Sequence, residues 1–269
     1  MSGIKVGVFL AVARVLIEFR DDLGNLKSIS GTGFWILDRN DRFFVTNRHN
    51  VDPTLKLGPD TPFRLRAIKL QMRTQVTPTS WGPGTTFVDV VNTDKALTLH
   101  TNADVAVLKN PLLALSGNFT QNSGFPLDQV ADEAFLSELV DPMDVTSFIG
   151  FPGKDGKPWW DVRWQFPIAR TVNVASWPRI PFTNTAIPTA DTVLVSGLSF
   201  SGSSGSPVIL HRKWNPEGSD TDQNRYMKPR LLGIMSGHWW DEEPAEGMFY
   251  HSGLSYFTRS TAILELIDV

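Results

Sequence analysis

The chain has 269 residues, a formal net charge of −3, and 20% charged against 41% hydrophobic side chains, which is long and apolar enough to bury a sizeable core. Mild acidity, with no Lys/Arg cluster interleaved with aromatics, argues against nucleic acid as the main partner. Cysteine is absent, which points to a reducing compartment or a bacterial-type lineage, and a cytoplasmic location is the expectation.

The chain opens with one lysine, Lys5, and an apolar stretch that continues past Arg14 into Val15-Leu16-Ile17-Glu18-Phe19 with no small-residue cleavage site. It reads as a first strand over about residues 9–19 rather than as a signal peptide. No run approaches the roughly 18 apolar residues of a membrane span, so no membrane partner is expected. Further strands are predicted at about 28–37, 43–46, 64–73, 86–91 and 105–108, with hairpin turns at 21–25 and 38–41. Residues 111–132 are turn-rich without a sustained period and predict the crossing into a second half.

That second half shows strand patterns at about 145–150, 161–166, 168–174, 192–196, 206–210 and 231–236. Residues 212–230 form a hydrophilic excursion expected as a surface hairpin. Within it, Asp220-Thr221-Asp222-Gln223-Asn224 imitates half a calcium loop. Arg225 stands where a glycine is required and Leu231 where the bidentate glutamate belongs, so no calcium site is expected. His-Glu-x-x-His spacing is missing too, and neither metal nor cofactor is predicted. A closing helix is expected near 258–267, with Ile263, Leu264 and Ile267 inward. Short apolar runs punctuated by Gly, Pro, Asn and Asp give an all-β chain.

Three segments carry chemistry. Gly202-Ser203-Ser204-Gly205-Ser206-Pro207-Val208 is a glycine-punctuated turn entering a strand; Val45-Thr46-Asn47-Arg48-His49 ends a strand on a histidine; Ala103-Asp104-Val105 starts one on a carboxylate. A serine hydroxyl is a weak nucleophile until an imidazole takes its proton during attack. The imidazole in turn needs a carboxylate on its other nitrogen to fix its tautomer and stabilise its cation. Glycines beside the serine allow successive N–H groups to point into one hollow, where those of Gly202 and Ser204 could hold an oxyanion. Singly, each segment has a plain reading, as flexible turn, strand cap or pre-burial polar residue. The order His, Asp, Ser, at separations of 55 and 100 positions, is what joins them. The Gly-x-Ser-x-Gly pattern of other hydrolases is absent.

On these residues the chain resembles the trypsin-like, chymotrypsin-fold serine peptidases, above all their cysteine-free, HtrA-like bacterial branch. Gly31-Thr32-Gly33-Phe34-Trp35-Ile36, Leu232-Gly233-Ile234-Met235-Ser236-Gly237 and Tyr256-Phe257-Thr258-Arg259 match further family strands. Ser203 departs from the family's acidic or amide residue, Ser206 from its second glycine, and Asn47 and Arg48 from two alanines. The resemblance implies two packed six-stranded antiparallel β-barrels, residues 1–125 carrying His49 and Asp104 and residues 126–269 carrying Ser204 and the substrate pocket. No appended PDZ-type peptide-binding domain is expected. It implies a serine endopeptidase acting on protein or peptide substrates: His49 as base and later acid, Asp104 as orienting carboxylate, Ser204 as nucleophile, and the Gly202 and Ser204 N–H groups as the oxyanion hole. Ser203 carries no charge to anchor a newly freed N-terminus, so activation by cleavage is not expected.

By the same resemblance, Leu198 is the pocket base and Ser236, Gly237 and His238 form its wall, favouring an uncharged P1 residue. The alternative is a partner-regulated or catalytically silent trypsin-like module that holds a peptide or protein partner in its cleft.

Overall fold

The computed structural model describes residues 6–77, 80–114, 123–154, 157–184, 190–211, 229–243 and 248–268. The fold is all-β in two units, as the sequence implies, but where the resemblance implies two six-stranded barrels the described residues form one closed six-stranded barrel beside an eight-stranded sheet. The first is an eight-stranded sheet: β1 (Val12–Arg20), β2 (Leu26–Asp38), β3 (Asp41–Thr46), β4 (Arg64–Thr77), β5 (Ser80–Asp89), β6 (Leu97–Leu99), β7 (Ala106–Lys109) and β8 (Phe125–Pro126). Its strands run in the order β5-β4-β1-β2-β3-β7-β6, with β8 parallel beside β2.

The second unit is a closed six-stranded barrel. After β9 (Val145–Gly150), the short β10 (Gly153–Lys154) and β11 (Lys157–Pro158) pair with each other outside it. The barrel is then completed by β12 (Ile168–Val174), β13 (Thr192–Ser196), β14 (Pro207–Leu210), β15 (Arg230–Glu243) and β16 (Met248–Arg259), in the order β12-β13-β16-β15-β14-β9.

Strand β1 shows how sequence makes this architecture. Val15, Ile17 and Phe19 are fully buried, while Arg14, Leu16 and Glu18 between them face the other side. Each fully buried large apolar side chain is worth about 1.5–3 kcal/mol over its exposed state. The central core joins the two units: Phe34, Phe43, Val45 and Val107 of the sheet meet Ile149, Ile209, Leu231 and Ile234 of the barrel. Phe34 packs edge-on to Phe125 at 5.6 Å. The C-terminal helix, Thr261–Ile267, covers this core with Ala262, Ile263 and Ile267 buried and Leu264 partly buried.

Three expectations are corrected. Residues Val6–Leu10 form a helix, and the first strand begins only at Val12; an unbroken apolar run has neither helical nor strand period to choose by. Residues 161–166 make turns with one isolated bridge, Asp161 to Phe166, because the Asp161 carboxylate accepts the Trp164 N–H at 2.6 Å and bends the chain. A helix, Glu133–Leu139, follows the expected crossing, its N-terminus capped by Asp132 through the Phe135 N–H at 2.8 Å. The excursion at 212–230, calcium-loop mimic included, lies outside the described residues except for its last two. Among the described residues no helix is long and apolar enough to cross a membrane.

Candidate active site

His49 sits in a one-turn helix, Arg48–Val51, that starts where β3 ends. Its Nδ1 is 2.7 Å from Asp104 Oδ2, and its backbone N–H donates to Asp104 Oδ1 at 2.9 Å. One carboxylate therefore fixes both the backbone and the ring of the histidine. Hydrogen bonding from Nδ1–H leaves Nε2 as the basic nitrogen. Asp104 is almost wholly buried and His49 partly so, at 4% and 17% side-chain exposure, which shields their contact from water.

The two residues before the histidine hold this pair. Asn47, fully buried, donates from Nδ2 to Asp104 O at 2.9 Å and to Ser236 Oγ at 3.1 Å. Arg48 pairs with Asp52 at 3.0 Å and donates to the carbonyls of His100 and Thr101 at 2.9 and 2.8 Å. Its guanidinium thus ties the histidine helix to the loop that delivers Asp104. His100 shapes the same loop: its Nδ1 accepts the Ala103 N–H at 2.9 Å, while Nε2 meets Glu265 at 2.8 Å.

The Ser204 loop consists of two linked turns. Ser203 N–H donates to Phe200 O at 2.9 Å with Gly202 at φ 85°, and Ser206 N–H donates to Ser203 O at 3.0 Å with Gly205 at φ 94°. Both glycines occupy the third position of a turn that requires positive φ. A Cβ on Gly202 would strike Phe151 O, and one on Gly205 would strike Thr32 O. Among the described residues neither the Gly202 nor the Ser204 N–H has an acceptor. Ser203 is buried, and its Oγ accepts the Phe200 N–H at 3.3 Å. Ser206 also turns inward, against Gly150, and its Oγ has no partner among the described residues.

Thr32 of β2 fastens the loop from outside. Its N–H donates to Ser204 O at 2.9 Å and its Oγ1 to Gly202 O at 2.7 Å, while Oγ1 accepts the Phe151 N–H at 3.1 Å.

His49, Asp104 and Ser204 line one cleft of about 390 Å³ together with Ser236, Gly237 and His238. Among the described residues no hydrogen bond joins Ser204 Oγ to His49; in resting sites such contacts are often long and tighten around substrate. Leu198 is 43% exposed and is not part of the cleft lining, whereas its neighbour Ser199 is. His238 stacks on His251 at 4.7 Å and contacts Ser199 Oγ at 3.3 Å. Burial, reinforced by the facing His251, pushes the His238 pKa down from 6.5 to about 4. Tyr256 also lines the cleft; burial, with the Asp104 charge second, pushes its phenol up to about 12, so it stays protonated.

Sequence reasoning missed Thr32, Ser199 and Tyr256 as site residues. Thr32 and Tyr256 lie inside the strand motifs quoted above, but nothing in a one-dimensional pattern tells which strand residues reach across to a loop.

No protein-family model and no curated protein matches the chain. Among solved structures it is similar to the serine endoprotease from Yersinia pestis, at 12% identity and a TM-score of 0.46. That likeness covers 100% of this chain and 66% of the other, so the chain spans just under two thirds of that protein's length. The strand topology described above, rather than this coarse likeness, carries the fold.

Proposed function

We propose that the protein is a serine endopeptidase of the trypsin-like type, residues 1–125 supplying base and orienting acid and residues 126–269 the nucleophile and pocket. The observation that carries this reading is the 2.7 Å contact of His49 Nδ1 with Asp104 inside the cleft that Ser204 also lines. Ser204 Oγ attacks the scissile carbonyl carbon while His49 Nε2 takes its proton. The carbonyl oxygen, now negative, takes up the free N–H groups of Gly202 and Ser204. Collapse expels the amine, which receives the proton from His49 and leaves an acyl-Ser204 ester; water, deprotonated by His49, then hydrolyses it.

Among the described residues that line the cleft the only acidic side chain is Asp104, and His49 occupies it. No anion is left for a cationic P1 side chain, which supports an uncharged preference.

The test is labelling with a fluorophosphonate, which reacts only with an activated serine. Wild type should label at Ser204, and Ser204→Ala and His49→Ala should not. An unlabelled wild type would leave the silent, peptide-holding module as the reading. Labelling only in the presence of a second protein would identify the partner-regulated form. A peptide library cleaved mainly after Arg or Lys would refute the P1 preference.

A further inference from the structure

We infer that a second cavity beside the nucleophile loop is a subsite for a substrate carboxylate, with Arg14 as its ligand. The inference rests on the peptidase reading for the identity of the occupant.

The cavity, about 490 Å³, meets the catalytic cleft at Ser201 and has Gly202 in its wall. It therefore lies against the peptide that offers the Gly202 N–H. Arg14 and Lys157 line it together with Ser28, Ser30 and Trp160, and no Asp or Glu is among the described residues that line it.

Arg14 is the unusual member. Its guanidinium carbon is 4.6 Å from the Trp160 ring and 5.2 Å from the Phe87 ring. Its Nε is buried without an acceptor, and among the described residues no acid pairs with it. The acid on the same face of β1, Glu18, is already held by Arg66 at 3.2 Å and Lys69 at 2.7 Å. Arg73, on the neighbouring strand β4, is satisfied by the carbonyls of Trp164 and Gln165, so it adds positive potential and takes up none.

A half-buried cation with no acceptor among the described residues is costly to a fold. Burial lowers the Arg14 pKa, yet an arginine stays charged. Two ring contacts offset part of that cost and steady the planar group. The two outer guanidinium nitrogens, which have no acceptor among the described residues, match the two oxygens of a carboxylate. A peptide whose reacting carbonyl faces the Gly202 N–H, and whose acyl side follows the cleft along Ser236 and Gly237, must leave past Gly202 into this cavity. The carboxylate thus belongs to the leaving-group side of the scissile bond, as an acidic side chain or as a free C-terminus.

Internally quenched peptides would differ at one leaving-side position, Glu against Gln, or at the end of the chain, free acid against amide. They would be measured as kcat/KM on wild type and as Kd, by calorimetry, on Ser204→Ala. A preference of roughly tenfold for the carboxylate member of one pair is expected in both quantities. Which pair shows it identifies the source. Arg14→Met should shrink that preference to within about twofold, and Arg14→Lys should keep part of it. Equal handling within both pairs, or a preference that survives in Arg14→Met, overturns the inference. If wild type is inert to the probe while Ser204→Ala binds carboxylate peptides through Arg14, the peptidase reading falls and the anion subsite stands.

Discussion

Asn47 Nδ2 lies 3.1 Å from Ser236 Oγ, so the residue that opens the histidine helix is fastened to the strand walling the cleft. The same nitrogen holds the carbonyl of Asp104 at 2.9 Å. One buried amide thereby sets the mutual position of three segments that are far apart in the chain.

Asn47→Ala should consequently cost about 1–3 kcal/mol of unfolding free energy, since it leaves buried acceptors without their donor. Urea denaturation measures this directly. The fluorophosphonate labelling rate of the folded fraction should fall as well; an unchanged rate would mean that the amide supports the fold and not the site.

Thr32→Val keeps the shape of the side chain and removes only the hydroxyl that reaches Gly202 O and Phe151 N. Labelling of Ser204 is expected to slow about tenfold, of the order of one net hydrogen bond, with KM for small substrates little changed. Thr32→Ser restores the hydroxyl and should restore the rate. A lower melting temperature with a wild-type labelling rate would assign Thr32 to stability alone.

Acid should destabilise the protein partly through His238. Its folded pKa of about 4 lies below the 6.5 of the unfolded chain. The unfolded state therefore binds the proton first, and stability rises with pH across that interval. The contribution is fully present above about pH 6.5 and is lost as pH falls toward 4. Burial lowers His251 in the same direction. Melting temperatures at pH 7 and 4.5 should differ less in His238→Asn than in wild type, and an identical difference would exclude His238 as a source.

Ser206→Ala removes a buried hydroxyl that has no partner among the described residues. Stability is expected to be unchanged or to rise by up to about 1 kcal/mol, because desolvation of an unsatisfied polar group is relieved. A loss above that size in thermal unfolding would show that the hydroxyl is engaged, for instance with water.

Much of this was legible in the chain. Val145–Gly150, Ile168–Val174 and Thr192–Ser196 have the boundaries that their apolar runs and flanking turns predict. Helix Glu133–Leu139 was harder: its capping signal at Asp132 is plain, but seven residues are too few for the helical period to stand out. The approach of His49 to Asp104, a 2.7 Å contact, was expected from residue types and their order in the chain. Leu198, placed by counting back from Ser204, is half-exposed and absent from the cleft lining, where its neighbour Ser199 stands. Counting along a chain assumes equal loop lengths, and side-chain direction reverses with each residue of an extended segment.

The clasp of Thr32 on the Ser204 loop spans 170 positions of sequence. His49 and Asp104 belong to the same unit, but the loop carrying Ser204 is shaped by a residue of the opposite one. The two N–H groups of Gly202 and Ser204 therefore take their common direction only in the assembled fold, because the residues that carry them are pinned by Thr32 of the opposite unit.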